Sequence, residues 1–429
     1  MDSSEVKVPA DIVYEIFIRL PVKSLMRFRS ISKSWRDIID GSLRFANMHM
    51  STRLAAADEP QLLPLCNYID AFNRKRRAAL TFDGNIIKES DCPSPILDYS
   101  KRDHYYVFVE FVAYGLLLLQ DCWAGRNKLF LCNPLRGEVL ELPKPLQDCS
   151  KDFLLPRSLT SYGIGFDSAT NSYKIVRLGR EPRNNLEIEV YTLGTHSWRH
   201  ASPSSIRRSN NKLQLQCLSE FGVSAYGDMH WKNWEFGCDH EARIISFDFK
   251  NEQLNETPLP DFGCQGKHYR RFRLINLRGF LAVVSFQSDR HIEIWMLKDY
   301  YEKVKETWVR EYRISTQVWA RGSDPDHNGL FRAANISFWR ERQQFEIGVS
   351  SRGLLFVEAL GRQVFVLDLE RNCLWHLDCP QSYNFFKKIT TIFSYTGGVF
   401  SLRQFGNPIA KKPQKYNFLK TVHRVFVSP

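Results

Sequence analysis

No long hydrophobic run interrupts the 429 residues of this chain. The longest, 111–119, is far shorter than the roughly 20 residues that carry a helix across a bilayer, and Glu110 borders it, so a core strand is the expectation there. The opening MDSSEVKVPADIV has neither a basic start nor an apolar segment before a cleavage site, which argues against secretion. The ten cysteines, at 66, 92, 122, 132, 149, 217, 238, 264, 373 and 379, form no CxxC pair and no framework of a short stapled domain. Reduced thiols in the cytosol or nucleus follow as the expectation, with no membrane partner.

The motifs of several enzyme classes are missing as well. There is no GxxxxGK[ST] and no GxSxG, and Gly163-Ile164-Gly165 lacks the third glycine and the helix of a dinucleotide loop. His240-Glu241 begins like a zinc-protease helix, but Ile244 stands where the second imidazole must be. Cys373, His376 and Cys379 supply three ligand types without a fourth, and the many carboxylates single out no acid-base pair. No catalytic residue, no cofactor and no metal site is therefore expected.

Charge is unbalanced, with 59 Lys and Arg against 47 Asp and Glu, a net of +12. Such a surplus suits nucleic acid or an acidic protein when it is gathered in one place. Here it is scattered, apart from Arg74-Lys75-Arg76-Arg77, Tyr269-Arg270-Arg271-Phe272-Arg273 and Lys411-Lys412-Pro413-Gln414-Lys415. A nucleic-acid partner is an alternative that the distribution does not favour.

What is present begins with a helical pattern. Val8, Ile12, Ile16 and Leu20 recur on one helical face, with Val13 and Phe17 beside them. Pro9 suits a first turn and Pro21 stops the helix. A second short helix is expected around 23–29, carrying Leu25, Met26 and Phe28, and a third from Ser32, an N-cap, to Ile39, with Trp35 and Ile38. Three helices in about 40 residues cannot bury Pro9, Ile12, Leu20, Pro21, Leu25 and Trp35 among themselves, so a neighbouring domain or a partner must cover the surplus.

The run VPADIVYEIFIRLPVKSLMRFRSISKSWRDII resembles an F-box, in which a Leu-Pro start and an amphipathic helix precede a second Leu-Pro and Lys-Ser-Leu, Arg-Phe and Ser-Lys-Ser-Trp elements. Val8 replaces the usual Leu and Ser30 a frequent Cys, and neither removes an apolar anchor. The resemblance implies docking on the Skp-type adaptor of a Skp-cullin-F-box ubiquitin ligase and, through it, on a cullin. It makes Pro9, Ile12, Ile16, Leu20, Pro21, Leu25 and Trp35 the set that faces the adaptor or supports that face.

Beyond Met50 the period changes from 3.6 to 2. Strand-like runs at 129–132, 173–178, 186–192, 243–249, 280–286, 291–297 and 364–369 are bounded by turn residues. Five segments share one shape, a run, a polar turn and a second run: 129–143, 189–201, 245–260, 292–312 and 364–378. Each is expected to be the outer strand pair of a propeller blade, with a two-sheet sandwich as the competing architecture. CNPLRGEVLELP, YGIGFDSATNSYKIVRL, EVYTLGTHSW, GDMHW and IEIWMLKDYYEKVKETW, in that order, resemble the F-box-associated domain of plant F-box proteins, a relative of kelch propellers. Gly163 and Gly165 are read as points of close approach, Asp167 and Asn171 as turn formers, and Trp198, Trp231, Trp295 and Trp308 as blade-packing aromatics.

The expected organisation is α+β and multidomain: a small three-helix F-box over 6–50, a linker over 51–60 and a large all-β, kelch-like β-propeller over 61–429 that holds a target protein. By these resemblances the chain is a non-catalytic substrate-recognition subunit of a ubiquitin ligase. Two alternatives stay open beside it. One is an adaptor-bound scaffold outside a ligase. The other is an S-locus F-box protein recognising stylar ribonucleases, because HIEIWMLKDYYEKVKETWVREYRI also resembles that subfamily. Stylar ribonucleases are basic, and like charge on a basic recogniser counts against the last.

Overall fold

The computed structural model describes residues 9–55, 61–65, 77–82, 87–92, 107–121, 128–133, 135–146, 160–180, 186–201, 217–218, 221–234, 242–262, 272–286, 291–300, 307–315, 318–320, 345–349, 353–358, 364–377 and 391–406. Four helices come first: α1 (Ala10–Arg19), α2 (Val22–Ile31), α3 (Lys33–Gly41) and α4 (Leu43–Ala55). The first three lie where the apolar spacing puts them. A fourth, α4, joins the three that the spacing marks and runs on to Ala55. Its apolar residues, Leu43, Phe45, Ala46, Met48 and Met50, form no single stripe, so periodicity gave no sign of it. A cap did: the Phe45 amide donates to Ser42 Oγ at 3.0 Å.

All else is sheet. Six antiparallel-based sheets of four or five strands are formed, and their inner strands touch in sequence around a ring. The order is Val107–Ala113, Thr160–Asp167, Val223–Ala225, Phe272–Leu277, Phe345–Val349 and Thr391–Tyr395, which returns to Val107–Ala113. This is a β-propeller, and a two-sheet sandwich is ruled out. We number as first to fifth the blades that begin at the first five of these inner strands, the fifth carrying Val318–Ala320 as an outermost parallel strand. The closing blade joins Thr391–Tyr395 to Gln61–Leu65, Arg77–Phe82 and Ile87–Cys92, so strands from distant parts of the chain seal the ring. All five repeated segments form paired strands outside a blade's inner strands, as expected.

One strand expectation is corrected. The run 111–119 is a hairpin, Val107–Ala113 turning into Leu116–Asp121, and not one continuous strand. Tyr114 at φ 55° and Gly115 at φ 71° make the two left-handed residues of a tight hairpin turn. Unbroken apolarity hid the turn, because both strands are buried on both faces.

Local chemistry repeats from blade to blade. Asp167 Oδ1 accepts the Ala169 amide at 2.9 Å, Asp248 Oδ1 the Lys250 amide at 2.9 Å and Asp368 Oδ1 the Glu370 amide at 3.0 Å. Four residues after each aspartate comes a left-handed residue, Asn171, Glu252 or Asn372, which returns the chain into the next strand. Neighbouring blades are tied by tryptophans: Trp198 Nε1 donates to Pro143 O and Trp308 Nε1 to Pro258 O, both at 2.8 Å. Trp231 is wholly buried. Trp295 stands edge-on to Phe262, with ring centroids 6.2 Å apart. These contacts make all four tryptophans packing residues.

The third blade buries a polar chain. His230 Nδ1 and Ser246 Oγ are 2.7 Å apart, and Ser246 Oγ and Thr257 Oγ1 are again 2.7 Å apart. Burial pushes the His230 imidazole down to about 4 from its ordinary 6.5. Below pH 6.5 the unfolded chain takes up a proton that the folded one refuses, so stability is full above 6.5 and falls as pH drops towards 4. The loss at this one site should approach about 3 kcal/mol. Urea midpoints between pH 7 and 5 should therefore fall less for His230→Gln than for the parent chain, and equal slopes would exclude this histidine as the cause.

Candidate docking site

The helical head presents one face to solvent and another to the propeller. Both proline-started helices are begun in the same way: the Ile12 and Val13 amides bond Pro9 O at 3.1 and 3.2 Å, and the Ser24 and Leu25 amides bond Pro21 O at 2.9 and 3.1 Å. Pro9 and Pro21 themselves are exposed. Ile12 and Ile16, one turn apart on α1, are 51% and 49% exposed. Side chains four apart on a helix share a face, so the two form an apolar pair open to water.

The seven residues grouped by sequence thus separate. Pro9, Ile12, Ile16 and Pro21 are on the outside. Leu20 and Trp35 are half-buried, and Leu25 is 0% exposed. Trp35 meets Phe17 and Phe28 edge-on, each with centroids 5.5 Å apart, and Leu20 O accepts from His49 Nε2 at 2.8 Å. These three shape the face from beneath. Two exposed apolar residues were missed. Ile31, at the end of α2, is 69% exposed, and Met48, on the unforeseen α4, is 37% exposed and receives the Tyr14 hydroxyl on its sulfur at 3.7 Å. The break at Ser32 was a signal for the first; nothing in the pattern marked the second. Exposed Lys23, Arg27, Lys33 and Arg36 on α2 and α3 add positive charge to the head.

The inner face of the head is buried. Phe17, Ile18, Val22, Leu25, Ile39, Phe45 and Ala46 belong to one apolar cluster with Leu140, Tyr173, Val399, Phe400 and Leu402 of the propeller. Polar groups cross the same boundary. Asp40 of α3 takes Arg29 Nε at 2.7 Å from its own head and Arg136 Nη1 at 3.0 Å from the first blade, while Gln404 Nε2 donates to its carbonyl.

Two family models match: the F-box domain over residues 7–47 and the F-box associated beta propeller domain over residues 88–328. The chain is a plant F-box protein. Among its relatives from Arabidopsis thaliana, F-box protein At3g07870 is 26% identical over 72% of this chain and 73% of its own length. F-box protein CPR1 is 25% identical over 88% and 86%, and F-box/kelch-repeat protein At3g23880 is 24% identical over 69% and 76%.

Elsewhere in this F-box protein, no group of three or more His, Cys, Asp or Glu is placed to hold a metal among the described residues. Cys373 and His376 lie in the strand Cys373–Leu377; Cys379 is outside the described residues. Ile244 is a buried strand residue, not a helical one. No described helix is long and apolar enough to cross a membrane. Of the three basic runs, only Arg77, Phe272 and Arg273 are described.

Proposed function

We propose that this F-box protein is the substrate-recognition subunit of a Skp-cullin-F-box ubiquitin ligase, in the cytosol or nucleus, with no catalytic step of its own. The observation that carries the reading is the outward apolar pair Ile12 and Ile16, flanked by two exposed prolines on a head whose other face is already covered by the propeller. Apolar residues left open on a fixed surface favour a protein partner, and the adjoining Lys23, Arg27, Lys33 and Arg36 favour one with acidic groups around its apolar centre. The propeller then presents a target beside the adaptor, so that a ubiquitin-carrying enzyme elsewhere in the assembly meets target lysines at raised effective concentration.

Charge distribution speaks for a protein target over nucleic acid. Lys128, Lys174, Arg243, Lys298 and Arg310 are each paired with a carboxylate on the blades, which leaves less free charge for phosphates. The test is affinity capture of the tagged chain with and without proteasome inhibition. A co-purifying protein that accumulates on inhibition, together with adaptor and cullin, supports the receptor role. Adaptor without cullin would overturn it in favour of a scaffold outside a ligase, and steeply salt-dependent capture of DNA or RNA would overturn it in favour of nucleic-acid binding.

A further inference from the structure

We propose that Arg136 is a positioning residue that fixes the orientation of the F-box head on the propeller, and with it the distance between adaptor and target; the inference rests on the receptor reading above. Arg136 lies in the turn between Lys128–Asn133 and Glu138–Leu142, and its side chain is 3% exposed. Its guanidinium reaches three separate parts of the molecule. Nη1 donates to Asp40 Oδ1 of the head at 3.0 Å and to Val399 O of the segment after the closing strand at 3.2 Å, and Nε donates to Glu138 Oε1 of its own blade at 3.1 Å.

Each acceptor is itself held. Arg29 Nε sits 2.7 Å from both Asp40 oxygens. Glu138 accepts the Leu402 amide at 2.7 Å and the Ser401 hydroxyl at 3.3 Å, and Asn133 Nδ2 donates to Gly398 O and Phe400 O at 3.1 and 2.6 Å. Burial of apolar area in the cluster beneath is by itself non-directional. A buried, forked cation with directional acceptors on three bodies adds a preferred angle. Asn133 and Glu138 are the defining residues of the Asn-Pro-x-x-x-Glu element and act within the propeller. Arg136 lies between them in the sequence, and of the three it is the one whose side chain bridges to the head.

A swinging head would spread the target over a larger volume and dilute it at the ubiquitin-carrying site. Removing one partner of a buried pair leaves the other uncompensated. In the isolated full chain, Asp40→Asn should therefore raise amide exchange in peptides covering 33–41 and 399–405 by about a hundred-fold, with blade peptides unchanged. Arg136→Met should do the same, and Arg136→Lys should not restore protection, since a single ammonium nitrogen on a flexible stem cannot stand in for Nε and Nη1, which meet their acceptors from two places on a rigid fork. Capture of a Skp-type adaptor by Asp40→Asn should stay within about two-fold of the parent, because the exposed face is elsewhere. Parent-like exchange in both variants would overturn the proposal, as would protection lost evenly over all blades. A parent chain that captures no adaptor would overturn the receptor reading, and the exchange result on the isolated chain would still decide the role of Arg136.

Discussion

Replacing Ile12 and Ile16 together by aspartate is expected to weaken capture of a Skp-type adaptor by at least about a hundred-fold, since two central apolar anchors carry on the order of 2 kcal/mol each or more. The fold should hardly notice. Both side chains are half exposed, and a carboxylate at position 12 sits in the first turn of α1, where the helix N-terminus favours negative charge. A pull-down titration beside a thermal unfolding curve separates the two effects. Undiminished capture would remove this face from the interface. Leu25→Asp makes a poorer test than its place in the motif suggests. With no exposure, Leu25 belongs to the cluster shared with the blades, so an aspartate there would disorder the head and abolish capture for a structural reason.

Gly165→Val is expected to cost several kcal/mol of stability, enough to leave little folded, soluble chain. Gly165 lies on the inner strand Thr160–Asp167, and any Cβ there would collide with the Phe249 ring of the third blade. Gly163 has the same relation to Met229 and Trp231. Phe249 and Trp231 are completely buried and cannot withdraw. Chemical denaturation of Gly165→Ala, the milder variant, gives the measurement; a loss below about 0.5 kcal/mol would mean that the two blades part easily at this seam.

These glycines show how the sequence can be read correctly in kind without yielding its partner. The spacing Gly-x-Gly pointed to close approach, but that the approaching groups come from 229–249 depends on which blade follows which, and no local pattern carries that. The outer strand pairs were legible because each alternates around a polar turn. The inner strands were less so: Leu116–Asp121 and its neighbour are apolar on both faces and merged into one run. The head was legible through the four-residue spacing of Ile12, Ile16 and Leu20, yet spacing alone could not tell the two exposed isoleucines from the fully buried Leu25. That distinction is made by what covers the other side, and the cover is contributed by Leu140, Phe400 and Leu402, more than a hundred residues away.

The way the ring is sealed also sets a clock. The three strands between Gln61 and Cys92 have no inner neighbour until Thr391–Tyr395 has been made. Roughly 340 residues separate the end of α4 from that strand, which at ribosomal speeds of about 5–20 residues per second means a delay of roughly 20–70 s. Throughout it the head is outside the ribosome with Phe17, Leu25 and Phe45 deprived of Phe400 and Leu402. Order of synthesis therefore imposes an order of assembly, in which the F-box head emerges first and the propeller is completed last.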